Sequence, residues 1–196
     1  MNRNEWHDDT PAHALVCLHT ESDPARWFAD QVEALGALVY RSRVPAPADP
    51  ASVDAWVGEV AAAVTSLGHD RVHLLATGAT AYGAIALAAR NPALVTSLVL
   101  GDPEVEPDIP GYAELLAQVA APSLVIASVP DEHVDTATAQ NIAGGIDNGV
   151  FVVIDGGTVP AHRERAASFN EWVTAFTVIA EGLDAMASQR QEKTHA

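Results

Sequence analysis

The chain has 196 residues, enough for one domain with a sizeable core, and 48% of them are hydrophobic, which excludes a disordered polymer. Its formal net charge of −16, from 26 acidic against 10 basic residues, works against binding to nucleic acid or to an anionic membrane. The only cysteine, Cys17, lies inside an apolar run, so no intramolecular disulfide forms and a reduced, cytoplasmic setting fits.

Residues 1–12 are polar and read as a flexible N-terminus without an apolar signal segment. No run reaches the roughly 18 apolar residues of a membrane span. "HALVCLH" is a first strand ending at His19, and "DPARWFADQVEAL" carries Trp27, Phe28, Val32 and Leu35 at helical spacing. "ALVYRSRV" is a second strand. The proline-rich "PAPADPASVDAW" is a loop, with Ser52 a candidate cap for a helix over "VDAWVGEVAAAVTSLG" that Gly68 closes. "RVHLLA" is a third strand, followed by the helix "TAYGAIALAARN", which Pro92 stops. "VTSLVLGDP", "PSLVIAS" and "GVFVVID" are further strands, separated by the helical segments "GYAELLAQVA" and "DTATAQNIAGGI". "ERAASFNEWVTAFTVIAEGLDAMAS" is a final amphipathic helix. Residues 189–196 read as a flexible tail, which leaves one domain over 13–188.

Strands alternate with helices throughout, and each strand is a nearly continuous apolar run. That texture predicts an α/β protein with a doubly wound, mostly parallel six-stranded sheet and helices on both faces. The ligand end of such a sheet lies beyond the C-terminal strand ends. The loops that matter begin at His19, Arg43, Ala76, Gly101, Ser128 and Asp155.

Over residues 13–180 the order of segments resembles the α/β-hydrolase family. "RVHLLATG…GAIALAARNPALVTSLVLGDP" is similar to that family's elbow strand, elbow helix and following strand. "APSLVIASVPDEHV" looks like the strand leading to the triad acid, and "VFVVIDGG" followed by "SFNEWVTAF" like the last strand and helix. The family's nucleophile sits in a strained G-x-S-x-G turn. Counting from either side places that position on Gly78, within Ala76, Thr77, Gly78, Ala79 and Thr80. The resemblance carries the acid position onto Asp131, which looks retained, and the histidine position onto Val159, which accepts no proton. His19-Thr20 stands for the family's "HG", and Glu21 falls where the family donates an oxyanion-hole amide. The interval from Glu104 to Ala121 holds only one short helix, which implies no cap domain and an open, shallow site.

These positions imply a non-catalytic binding or regulatory protein without cofactor or metal. The alternative is an esterase-type hydrolase with a displaced nucleophile. For that reading Thr80, Thr77 and Ser128 offer hydroxyls, Asp131 the acid, and His162, His19 or His133 a base. Ala76-x-Gly78-x-x-Ala81 also mimics a dinucleotide fingerprint, but it follows the third strand and two of its glycines are alanine. Glu21, Asp102, Glu104, Asp131, Glu132 and Asp155 gather on the strand-end loops, with Arg43 and Arg163 as the nearby cations. An acidic rim of that kind favours a neutral or cationic small molecule, or a basic protein partner. A divalent cation among these carboxylates has no support from their spacing. The apolar stripe of the last helix, with Met186, is more often core than interface, though it would also serve a homodimer.

Overall fold

An apolar strand run is stable only where both of its faces are covered, and the computed structural model supplies that cover. It describes residues 12–20, 23–131, 135–156 and 158–194. The elements are, in chain order, β1 (Ala14–His19), α1 (Pro24–Trp27), α2 (Ala29–Leu35), β2 (Leu38–Arg41), α3 (Pro50–Ser66), β3 (Val72–Gly78) and α4 (Ala81–Arg90). They continue with β4 (Val95–Pro103), α5 (Tyr112–Ala117), β5 (Ser123–Val129), α6 (Ala137–Gly145), β6 (Gly149–Asp155), α7 (Ala161–Glu164) and α8 (Ala166–Thr194). The strands form one sheet in the order β2-β1-β3-β4-β5-β6, and every neighbouring pair is parallel.

Strand residues alternate between two cores. Val16, Leu18, Leu74, Leu98 and Val125 face one layer, where they meet Trp56, Ile85 and Ile142 of α3, α4 and α6. Leu15, Cys17, Leu75, Val99 and Ile126 face the other, against Phe28 and the α8 side chains Phe169, Val173 and Phe176. The expected doubly wound sheet is therefore present. No helix among the described residues is long and apolar enough to cross a membrane.

Three local expectations need correction. Ser52 is not the cap of α3. Asp49 is, with extended backbone (φ −153°, ψ 168°) and a carboxylate that accepts the Ser52 amide at 2.8 Å. Ser52 closes a capping box from the third helical position, and Pro50 takes the first turn, where its missing N–H costs nothing. The first helical segment is broken at Phe28 (φ −109°, ψ 28°) into α1 and α2. The break turns Phe28 and Gln31 inward and leaves Val32 exposed. Lastly, α8 continues to Thr194, past the end assigned at residue 188. "ASQRQEKT" contains good helix formers and neither glycine nor proline to stop it.

α3 and α4 approach closely in the first layer. A Cβ on Gly83 would stand 2.8 Å from the ring of the fully buried Trp56. Gly83→Ala gains about 1 kcal/mol of helix propensity but must displace a buried indole, an overpacking cost of about 1–3 kcal/mol. Urea denaturation of Gly83→Ala should therefore show a net loss of stability. A stabilised variant would mean that the indole moves aside freely.

Candidate functional site at the carboxyl end of the sheet

β1 lies between β2 and β3, so the chain winds one way from β1 and then returns past it. The crevice at that reversal, between the ends of β1 and β3, is where open α/β sheets bind ligands. The last residue of β3, Gly78, turns the chain with a φ of 55°, a left-handed conformation that only glycine adopts without cost. Ala79 is exposed, and Thr80 is already helical (φ −75°, ψ −13°) and buried. The bend is therefore centred on Gly78 and not on Thr80.

The carboxylate of Glu104 stands over this bend. The Glu104 amide donates to the Gly78 carbonyl at 3.1 Å, and its carboxylate carbon lies 3.8 Å from the point a Cβ on Gly78 would occupy. Beside it, an aromatic group fills the crevice. Trp27 of α1 stacks on His19 at 5.3 Å with an 8° interplanar angle, and its ring lies 5.1 Å from that of His162. The Arg163 guanidinium sits 5.1 Å from the centre of the Trp27 ring, a cation–π arrangement. The indole N–H donates to the Thr77 hydroxyl at 3.1 Å. Trp27 is the site residue that sequence reasoning missed. Its helical spacing placed it on an apolar helix face, and nothing local signals that α1 lays it across the strand ends.

His162 is fully buried against Trp27, Phe28 and Phe169. It belongs to the separate short helix α7 rather than to the first turn of the long one. Burial pushes its pKa down to about 4. Neither ring nitrogen hydrogen-bonds a hydroxyl. Its carbonyl accepts from the buried Gln31 amide, which also donates to Asn170 and so ties α2, α7 and α8 together.

Asp102 corrects the expected rim. With a φ of 44° it is the one left-handed non-glycine among the described residues. Its carboxylate turns inward and accepts from the Ser128 amide at 2.6 Å, the Ser128 hydroxyl at 2.9 Å and the Ala161 amide at 2.7 Å. Asp102 thus clamps β4 to the end of β5 and to the start of α7. It also occupies the hydroxyl of Ser128.

Glu104, Asp131 and Asp155 remain exposed at this end. Val159 is 56% exposed in the loop before α7. Glu21, Glu132 and His133 lie outside the described residues. The cations are more numerous than the sequence suggested. Thr20, Arg41, Ser42 and Arg43 line a cavity of about 640 Å³ beyond β1 and β2. Glu59 of α3 props this loop, accepting from Tyr40, Ser42 and the Arg43 amide. Burial opposes its charge, but these bonds hold the carboxyl below the usual range. Among the described residues the rim thus carries Glu104, Asp131 and Asp155 above β3–β6, with Arg163 and Arg165 at α7, and Arg41 and Arg43 beyond β2.

No family model matches the sequence, and no curated protein does. Solved structures do match in shape. The chain superposes on a CIB-like hydrolase from Thermoplasma acidophilum with a TM-score of 0.69, at 13% identity, over 87% of this chain and 88% of that one. It superposes on proline iminopeptidase of Mycobacterium smegmatis with 0.68, at 16% identity, over 90% and 94%. For an enol-lactonase from Burkholderia xenovorans LB400 the values are 0.64, 17%, 84% and 91%. The chain has the α/β-hydrolase fold. Between β4 and β5 the chain carries only the short α5.

The buried imidazole gives a pH signature. Unfolded, His162 takes up its proton near pH 6.5; folded, only near pH 4. Between those values the unfolded chain binds more protons, so this group's contribution to stability is complete above pH 6.5 and is lost as pH falls toward 4. His162→Phe should flatten that segment of the stability–pH curve in urea titrations. An unchanged slope would assign it to other groups.

Proposed function

We propose that this chain is an α/β-hydrolase-fold protein that has lost hydrolysis and binds a ligand or partner at the mouth of its sheet. One observation carries the reading. The bend on which the fold mounts its nucleophile is centred on Gly78, and the nearest group to the missing Cβ is the Glu104 carboxylate. A carboxylate there would repel the oxyanion of an acyl-transfer transition state instead of stabilising it. Val159 at the histidine position offers no base, and His162 makes no bond to a hydroxyl that it could activate. The Thr77 hydroxyl is held by Trp27, and that of Ser128 by Asp102.

The same carboxylate favours a neutral or cationic small molecule, or a basic segment of a partner, over the bend. Cys17 supports a cytoplasmic setting, since it is a buried, unpaired thiol whose pKa burial raises. The test combines turnover and binding. Wild type should not hydrolyse p-nitrophenyl acetate. Gly78→Ser should also be inactive and about 1 kcal/mol less stable, because serine is strained in a left-handed turn. Spermidine should bind more tightly than small carboxylates, and Glu104→Gln should weaken it. Turnover abolished by Thr80→Ala would establish the displaced-nucleophile hydrolase instead. Tighter binding of the anions would move the ligand site to the Arg41–Arg43 cavity.

A homodimer is the assembly we propose. Trp172, Ile179, Leu183 and Met186 of α8 are 45%, 58%, 45% and 50% exposed. They follow one another at seven, four and three residues, on one face of the helix. These four side chains are not core. Light scattering should give twice the chain mass, and Ile179→Glu with Leu183→Glu should give the chain mass. A monomeric wild type would end the proposal.

A further inference from the structure

The opposite end of the sheet carries a second set of reactive side chains, contributed by three separate elements. His13 enters β1, His73 is the second residue of β3, and Glu181 is on α8. One oxygen of Glu181 accepts the His13 amide at 2.8 Å and lies 3.0 Å from His13 Nδ1 and 3.2 Å from His73 Nε2. The three ligand atoms lie within 4.8 Å of one another. Around a tetrahedral zinc ion with bonds of about 2.0–2.2 Å, ligand atoms stand about 3.3–3.5 Å apart. Two of the separations here fall just short of that spacing, so a small outward rotation of the carboxylate makes room for an ion.

Two further features match a metal site. The other nitrogen of His73, Nδ1, lies 2.8 Å from the hydroxyl of the buried Ser97. When Nδ1–H donates to Ser97, Nε2 presents its lone pair toward Glu181, the outer-shell arrangement that orients metal-bound histidines. Secondly, a cavity of about 590 Å³ opens beside the cluster, lined by His13, His73 and the exposed His69, with Leu15, Leu35 and Val173 as its apolar wall. It gives an ion a path in and leaves room for water as a fourth ligand. The nearest cation, Arg71, is paired with Asp184.

We propose that His13, His73 and Glu181 form a binding site for one divalent transition-metal ion of the zinc class, which joins the entry to β1, the sheet and the last helix. Two imidazoles and a carboxylate are a donor set suited to such ions. Because the three ligands meet only in the folded chain, the ion stabilises the native state by mass action. Ser97 acts as a positioning residue through His73.

The experiment uses the full chain, stripped with a chelator and titrated with Co²⁺ at neutral pH. Visible absorption of a four-coordinate site should rise and saturate at one equivalent. Zn²⁺ should displace it and raise Tm. His13→Ala and Glu181→Gln, each checked for folding by circular dichroism without metal, should weaken binding at least tenfold, and Ser97→Ala by about tenfold. Wild type without a saturating signal at one equivalent overturns the proposal, whatever the variants do. A signal that persists in both ligand variants overturns it too, because the ion is then held by other residues.

Discussion

Six parallel strands force the chain to make its connections in one sense. Each strand but the last must be followed by a crossover, and each crossover begins at the same end of the sheet. Six loops therefore converge at the carboxyl ends of the strands, whatever their sequences, and six more segments enter at the amino ends. The carboxyl end received the long polar loops and the left-handed turns at Gly78 and Asp102. The amino end received His13, His73 and a cavity. Both candidate sites follow from this single topological constraint.

At the carboxyl end, polar side chains hold the mouth together. The hydroxyls of Thr77 and Ser128 are engaged by Trp27 and Asp102. Asp102 fixes β4, β5 and α7 through three hydrogen bonds. Trp27 fixes α1 over β1 and β3 through stacking and one hydrogen bond. Gln31 does the same beneath His162. On the function proposed above, a mouth held in this way suits recognition, since a preorganised surface loses little freedom on binding.

The fold was legible because burial of both sheet faces writes itself into every strand as an apolar run, and because glycine and proline mark the turns. Gly68 and Pro92 sit where those rules require, and Gly78 lies at the bend to which counting from both directions leads. The places of Trp27 and Asp102 were not legible because a side chain's direction depends on packing against elements far away in sequence. The Phe28 break has the same origin, since the helical period continues across it while the backbone does not. His13 and Glu181 are 168 residues apart. No spacing rule connects them; only the closure of α8 across the sheet does.

The position of Cys17 has a practical consequence. The only thiol in the chain is fully buried on β1, an interior strand flanked by β2 and β3. An alkylating reagent reaches its sulfur only when that strand pair separates, an opening that disrupts the sheet itself. The rate of thiol modification under native conditions thus counts how often the centre of the molecule opens, with no label to be engineered.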